Sequence, residues 1–162
     1  MKFLSLCAAA LFLSLLSCLT IPSPTLAATC RDITTVKNSA VATANTAAGG
    51  HVTQHIYGMQ PPPGTSQVDK TLFEAQGKYD SAWRQYKYVT NPVNCGASGQ
   101  AQQSVSLQNL GMGNLGAYSC QKADIKGKCI TWDSYMANSV FFGFIQKNGK
   151  WILNTVFPEP QT

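Results

Sequence analysis

Only two histidines occur in the 162 residues, and they stand four apart behind a double glycine, in Gly49-Gly50-His51-Val52-Thr53-Gln54-His55. Imidazole, with an ordinary pKa of about 6.5, gives and takes protons near neutrality. On one short helix the two rings would lie a turn apart on the same face. Such a pair serves as an acid/base site, as half a metal site, or as a polar surface. Zinc is disfavoured: Val52 stands where H-E-x-x-H needs its glutamate, and no third ligand is evident. The chemistry left is metal-free proton transfer, with no cofactor. Downstream, Lys70-Thr71-Leu72-Phe73 offers a cation and a hydroxyl. Asn154-Thr155-Val156-Phe157-Pro158 offers a second hydroxyl beside an aromatic ring. Each residue also has a bland use: a solvated turn lysine, a strand threonine, a surface histidine.

The surrounding pattern says which elements would carry these residues. Ile33, Val36, Ala40 and Ala44 fall at helical spacing, which predicts a helix across 31–48, broken by Gly49-Gly50. A short second helix follows from His51 to Tyr57. Pro61-Pro62-Pro63-Gly64 predicts an extended, exposed loop between Met59 and Val68. Thr71 to Phe73 reads as a short strand. Tyr79, Ala82, Trp83 and Tyr86 form one face of a helix opened near Asp80, and core packing explains that stripe better than base stacking. Residues 91–119, rich in Asn, Gly, Gln and Ser, read as loop with a weak strand over Gln103–Leu110. Two β-rich runs, 139–147 and 150–157, meet at Asn148-Gly149, the preferred two-residue hairpin turn. Val140, Phe142, Phe144, Trp151, Leu153 and Thr155 alternate with their neighbours. The fold class is α+β: N-terminal helices packed on an antiparallel sheet that ends in a C-terminal β-hairpin.

The N-terminus sets the compartment. Met1-Lys2, an apolar run from Phe3 to Leu19, then Pro22, Pro24 and Thr25-Leu26-Ala27 read as a secretory signal peptide rather than a membrane span. Cleavage is expected after Ala27 or Ala28. Leu15-Leu16-Ser17-Cys18 loosely resembles a lipobox that would leave a lipid on Cys18, but Leu16 fits that pattern poorly. Removing 1–27 leaves a single domain, 28–162, in which 11 basic residues face 7 acidic ones. That mild positive charge permits a polyanionic partner without requiring one. Cys30, Cys95, Cys120 and Cys129 remain, and export makes two disulfides the expectation, in a secreted or periplasmic protein. Three connectivities are open. Lys126-Gly127-Lys128 between Cys120 and Cys129 favours a local bridge, which would leave Cys30 to pair with Cys95.

The Gly-Gly-His segment, the basic residue before a short strand ending in Phe73, and the last strand Thr155-Val156-Phe157-Pro158 together resemble the small toxin ribonucleases of bacterial contact-dependent inhibition proteins. The ribonuclease A-like toxin domain is closest, and the EndoU-type endoribonucleases are similar in using two histidines and a lysine. The resemblance runs in order through residues 49–158 and rests on about a dozen positions. It implies a metal-independent endoribonuclease that uses the 2′-hydroxyl to give a 2′,3′-cyclic phosphate. His51 or His55 would match the catalytic histidine, Lys70 the phosphate-contacting base and Thr155 the last-strand hydroxyl. Thr71 and Phe157 would contact substrate, RNA would be the partner, and a cognate inhibitor protein would accompany it. This chain departs from the pattern at Phe157, where tyrosine is frequent, and in the stretch from Pro92 to Cys129. The alternative function is a non-enzymatic periplasmic or extracellular binding or inhibitor module, with the proline loop and residues 91–119 as its surface. Convergence of His51, His55, Lys70 and Thr155 in one cleft would favour the enzyme.

Overall fold

The computed structural model describes residues 28–96 and 99–161. The expected signal peptide and the Cys18 alternative lie outside them. The architecture is α+β, with three helices and two antiparallel sheets of five and two strands. The small sheet pairs β1 (Ala28–Thr29) with β3 (Asn94–Cys95), and the Cys30–Cys95 disulfide closes it. In the larger sheet, β2 (Thr71–Phe73) pairs with β5 (Leu115–Ala123), and β5 pairs with the first half of β6 (Cys129–Lys147). The second half of β6 lies between β4 (Gln100–Ser106) and β7 (Lys150–Pro160). Asn148 and Gly149 turn the β6–β7 hairpin with φ of 51° and 73°, the left-handed pair that this turn demands.

The helices cover one side. In α3 (Gln76–Tyr86), the aromatic stripe is core: Tyr79, Ala82, Trp83 and Tyr86 are buried, and Tyr86 stacks on Phe142 with ring centres 4.1 Å apart. The helix starts four residues before Asp80, with no side-chain cap. The expected N-terminal helix is two, α1 (Thr34–Ser39) and α2 (Ala42–Ala48). Val36 and Ala40 are buried as the spacing predicts, but Ala44 is exposed, because the extended residue Val41 resets the phase and turns Ala42 and Asn45 inward. Ser39 ends α1 facing β7, where its hydroxyl accepts the Leu153 N–H at 2.8 Å.

Other expectations also change. Pro61 and Pro62 are buried, since the loop docks on the β5–β6 turn, with Gln67 N–H donating to the Gly127 carbonyl at 2.9 Å and the Gln60 amide to the Lys126 carbonyl at 2.6 Å. The stretch 91–119 carries more strand than its composition indicates. β4 begins at Gln100, and Leu110 is a buried loop residue. In β7 the alternation fails at Asn154: Gly143 faces Thr155 while Phe144 faces Leu153, so Asn154 is an extra residue in the ladder. This β-bulge flips the phase. Leu153 and Val156 point into the core, and Thr155 and Phe157 lie on the opposite face. The pairing of the cysteines is Cys30–Cys95 and Cys120–Cys129. Among the described residues, no helix is long and apolar enough to cross a membrane.

Candidate active site

Gly49 and Gly50 deliver His51 by different means. Gly49, at φ +91°, is the left-handed cap of α2. Gly50 has an ordinary backbone, but a Cβ there would collide with the Asn45 side chain and the Leu153 carbonyl. The fully buried Asn45 fills that space. Its amide donates to the Ser39 and Leu153 carbonyls at 2.7 Å and its Oδ1 accepts the Val52 N–H at 2.8 Å. The helix expected over 51–57 is a single 3-10 turn, Val52–His55, with His51 just before it. The two rings therefore do not share a helix face. They are held by separate partners.

His51 is held by the bulge. Its backbone N–H donates to the Asn154 carbonyl at 2.6 Å, and its Nδ1 lies 3.1 Å from Asn154 Oδ1. With the amide oxygen facing the ring, Nδ1 carries the proton and Nε2 is the free acceptor. His55 is more constrained. Only 8% of it is exposed, and its Nδ1 lies 2.9 Å from the Thr71 carbonyl. A carbonyl only accepts, so Nδ1 is the donor and Nε2 holds the lone pair. The Phe157 ring packs 5.0 Å from the imidazole. Burial pushes His55 down from 6.5 to about 4, against the Thr71 carbonyl, which favours the charged form, and with help from the Lys70 and His51 charges. His55 is thus a neutral base at pH 7.

Lys70 leaves a turn whose preceding residue, Asp69, has φ 58°. Backbone bonds hold that strained turn: Asp69 N–H to the Cys120 carbonyl and Cys120 N–H to the Lys70 carbonyl, both 3.0 Å. The fully buried Gln67 connects it to the histidines. Its amide donates to the Thr53 carbonyl at 3.1 Å and the Ile56 carbonyl at 2.9 Å, its Oε1 accepts the Cys129 N–H at 2.9 Å, and its own carbonyl accepts from Lys70 N–H at 3.1 Å. One residue thus links the histidine turn, the lysine turn and the Cys120–Cys129 bridge. Among the described residues no carboxylate pairs with Lys70, although Asp69 shares the rim of the cleft.

His51, His55, Lys70, Thr71, Thr155 and Phe157 line one cleft of about 540 Å³. A cavity of similar size, about 520 Å³, between α2 and the β6–β7 turn is lined by lysines and, among the described residues, by neither histidine nor carboxylate. In the first cleft Thr155 Oγ1 is buried and has no hydrogen-bond partner. An unpaired buried hydroxyl costs about 1–3 kcal/mol unless a ligand satisfies it. Among the described residues no cluster of three His, Cys, Asp or Glu side chains is placed to hold a metal. The assembled groups can accept a proton, return one, and stabilise negative charge between them.

Sequence reasoning missed Asn45, Gln67 and Asn154, the residues that position the site. Asn154 alone left a signal, as a poor strand former inside a β-rich run. No family model, curated protein or solved structure matches the chain.

Proposed function

We propose that this protein is a metal-independent endoribonuclease. The observation that carries the reading is the neutral, buried His55 with a free Nε2, sharing one cleft with His51, Lys70 and the unpartnered hydroxyl of Thr155. In this mechanism His55 Nε2 takes the proton of a ribose 2′-hydroxyl as that oxygen forms its bond to phosphorus. The P–O5′ bond breaks, and His51, carrying a second proton on Nε2 while Nδ1 stays bonded to Asn154, gives that Nε2 proton to the departing 5′-oxygen. The products are a 2′,3′-cyclic phosphate and a free 5′-hydroxyl. Lys70 and the Thr155 hydroxyl stabilise the non-bridging oxygens, where charge builds in the transition state. The Thr71 carbonyl fixes the base's tautomer, and Phe157 keeps water from its flank. A bound phosphate supplies negative charge beside His55, which raises its proton affinity when substrate arrives. Two disulfides fit work in an oxidising compartment, secreted or periplasmic. A cognate inhibitor would protect the producing cell.

The test is incubation of the disulfide-intact protein with RNA in EDTA, followed by analysis of the ends. Cyclic phosphate ends are expected. A deoxyribose 5′ to the scissile phosphate should abolish cleavage, and His51→Ala or His55→Ala should lower it by ~10²-fold or more. No cleavage by folded protein, or cleavage that survives loss of both histidines, overturns the reading.

A further inference from the structure

The cleft does not end at Thr155. A second depression of about 210 Å³ shares Thr155 and Asn154 with it and continues over Phe141, Gly143, Gln100 and Gln102. The strand register places these residues on one face. Gln102, Gly143 and Thr155 form a row across β4, β6 and β7, and Ser104, Phe141 and Phe157 form the next row. The rings of Phe141 and Phe157 stack, centres 4.7 Å apart and 15° from parallel.

Gly143 makes the room. Its backbone is ordinary strand, so no turn demands glycine there. A Cβ would instead sit 2.9 Å from Thr155 Cγ2 and 3.0 Å from Phe141 Cε1. The missing side chain leaves the floor between the Thr155 methyl and the Phe141 ring open. The glutamines are equally telling. Gln103 points away and its amide is committed, to Tyr86 Oη, Val93 N–H and the Asn91 carbonyl at 2.9, 2.9 and 2.8 Å. Gln100 and Gln102 are exposed, and among the described residues their amides make no hydrogen bond. Among the described residues, no charged residue lines the depression.

We propose that this depression is a nucleobase subsite, holding the base of a nucleotide whose phosphate lies against Thr155 and Lys70. It rests on the ribonuclease reading. A base needs a flat apolar surface and edge partners that both donate and accept, and Phe141 with the amides of Gln100 and Gln102 supplies these without charge. Thr155, which lines both cavities, sets the distance from phosphate to base. Specificity therefore arises on β4 and β6, while proton transfer belongs to the 3-10 turn and β7.

Dinucleoside monophosphates carrying each base, or an abasic ribose, on either flank test this. Wild type should favour a base over the abasic site on one flank by about tenfold or more in kcat/KM, the scale of one stacked base. Gln102→Ala and Phe141→Ala should each compress that ratio to about twofold, and Gln102→Glu, which loses the donor but keeps the shape, should change which base is preferred. Circular dichroism checks the fold of each variant. Ratios unchanged in all three overturn the subsite. If wild type cleaves nothing, the ribonuclease reading fails separately, and titration with nucleoside 3′-monophosphates against ribose 5-phosphate decides the subsite. Tighter nucleotide binding that is lost in Gln102→Ala supports it, and equal affinities overturn it.

Discussion

Phe141 and Phe142 are neighbours in one strand, and their surroundings show how β6 and β7 serve two tasks. Phe142 is fully buried, with Tyr86 stacked on it, Trp83 nearby and Val156 opposite. Phe141 is half-buried, with one ring for company and an open, glycine-floored depression beside it. The inner face satisfies its groups with helices. The outer face leaves an unpartnered hydroxyl, free amides and a missing Cβ. Stability is concentrated on one face and capacity for ligand on the other, because the pleat points successive residues to opposite sides. The largest expected effect follows. Phe142→Ala should cost about 3–5 kcal/mol in chemical denaturation, whereas Phe141→Ala should cost less than about 2 kcal/mol. Equal costs would mean that the outer face is also structural core.

His55 lies where the two tasks meet, buried like core but carrying a free lone pair. Its folded pKa, near 4, is below the ordinary 6.5. As pH falls through 6.5 the unfolded chain takes up this proton, and the folded protein does so only near 4. Stability is therefore fully present above 6.5, falls between 6.5 and 4, and levels off below. The contribution is about 3 kcal/mol. Comparing unfolding of wild type and His55→Gln at several pH values isolates it: the wild type should lose that much more across the window. Parallel curves would show that His55 titrates as it does in water.

Local signals carried much of this arrangement. Asn148-Gly149 marked the hairpin because two consecutive positive φ values are a property of the turn alone. The four cysteines marked a disulfide framework for reasons of compartment. Residue type and spacing single out His51 and His55, the family resemblance points to Lys70 and Thr155, and all four share a cleft. What escaped depends on distant partners. The bulge at Asn154 exists because β6 fixes the register of β7, and no residue count within β7 reports it. Pro61 and Pro62 read as exposed because their cover, the turn before Cys129, is remote in sequence. Gln67 sits in a polar stretch and resembles any loop glutamine until its three hydrogen bonds are seen. The residues that would do chemistry were legible; the residues that aim them were not.

The smallest expected effect separates the two faces most cleanly, because it has opposite signs in two measurements. Thr155 keeps a buried hydroxyl with nothing to bond. If that group waits for a substrate oxygen, it is a cost to the empty protein and a gain only in the complex. Thr155→Val keeps the branched shape, removes the unmet polar atom and suits a strand. The variant should therefore be more stable by about 1 kcal/mol, seen as a higher Tm, while RNA cleavage falls by ~10-fold or more. Thr155→Ser should keep the hydroxyl and most of the cleavage. A valine variant that is less stable would show that Thr155 packs as structure, and one that cleaves at the wild-type rate would show that its hydroxyl meets no developing charge.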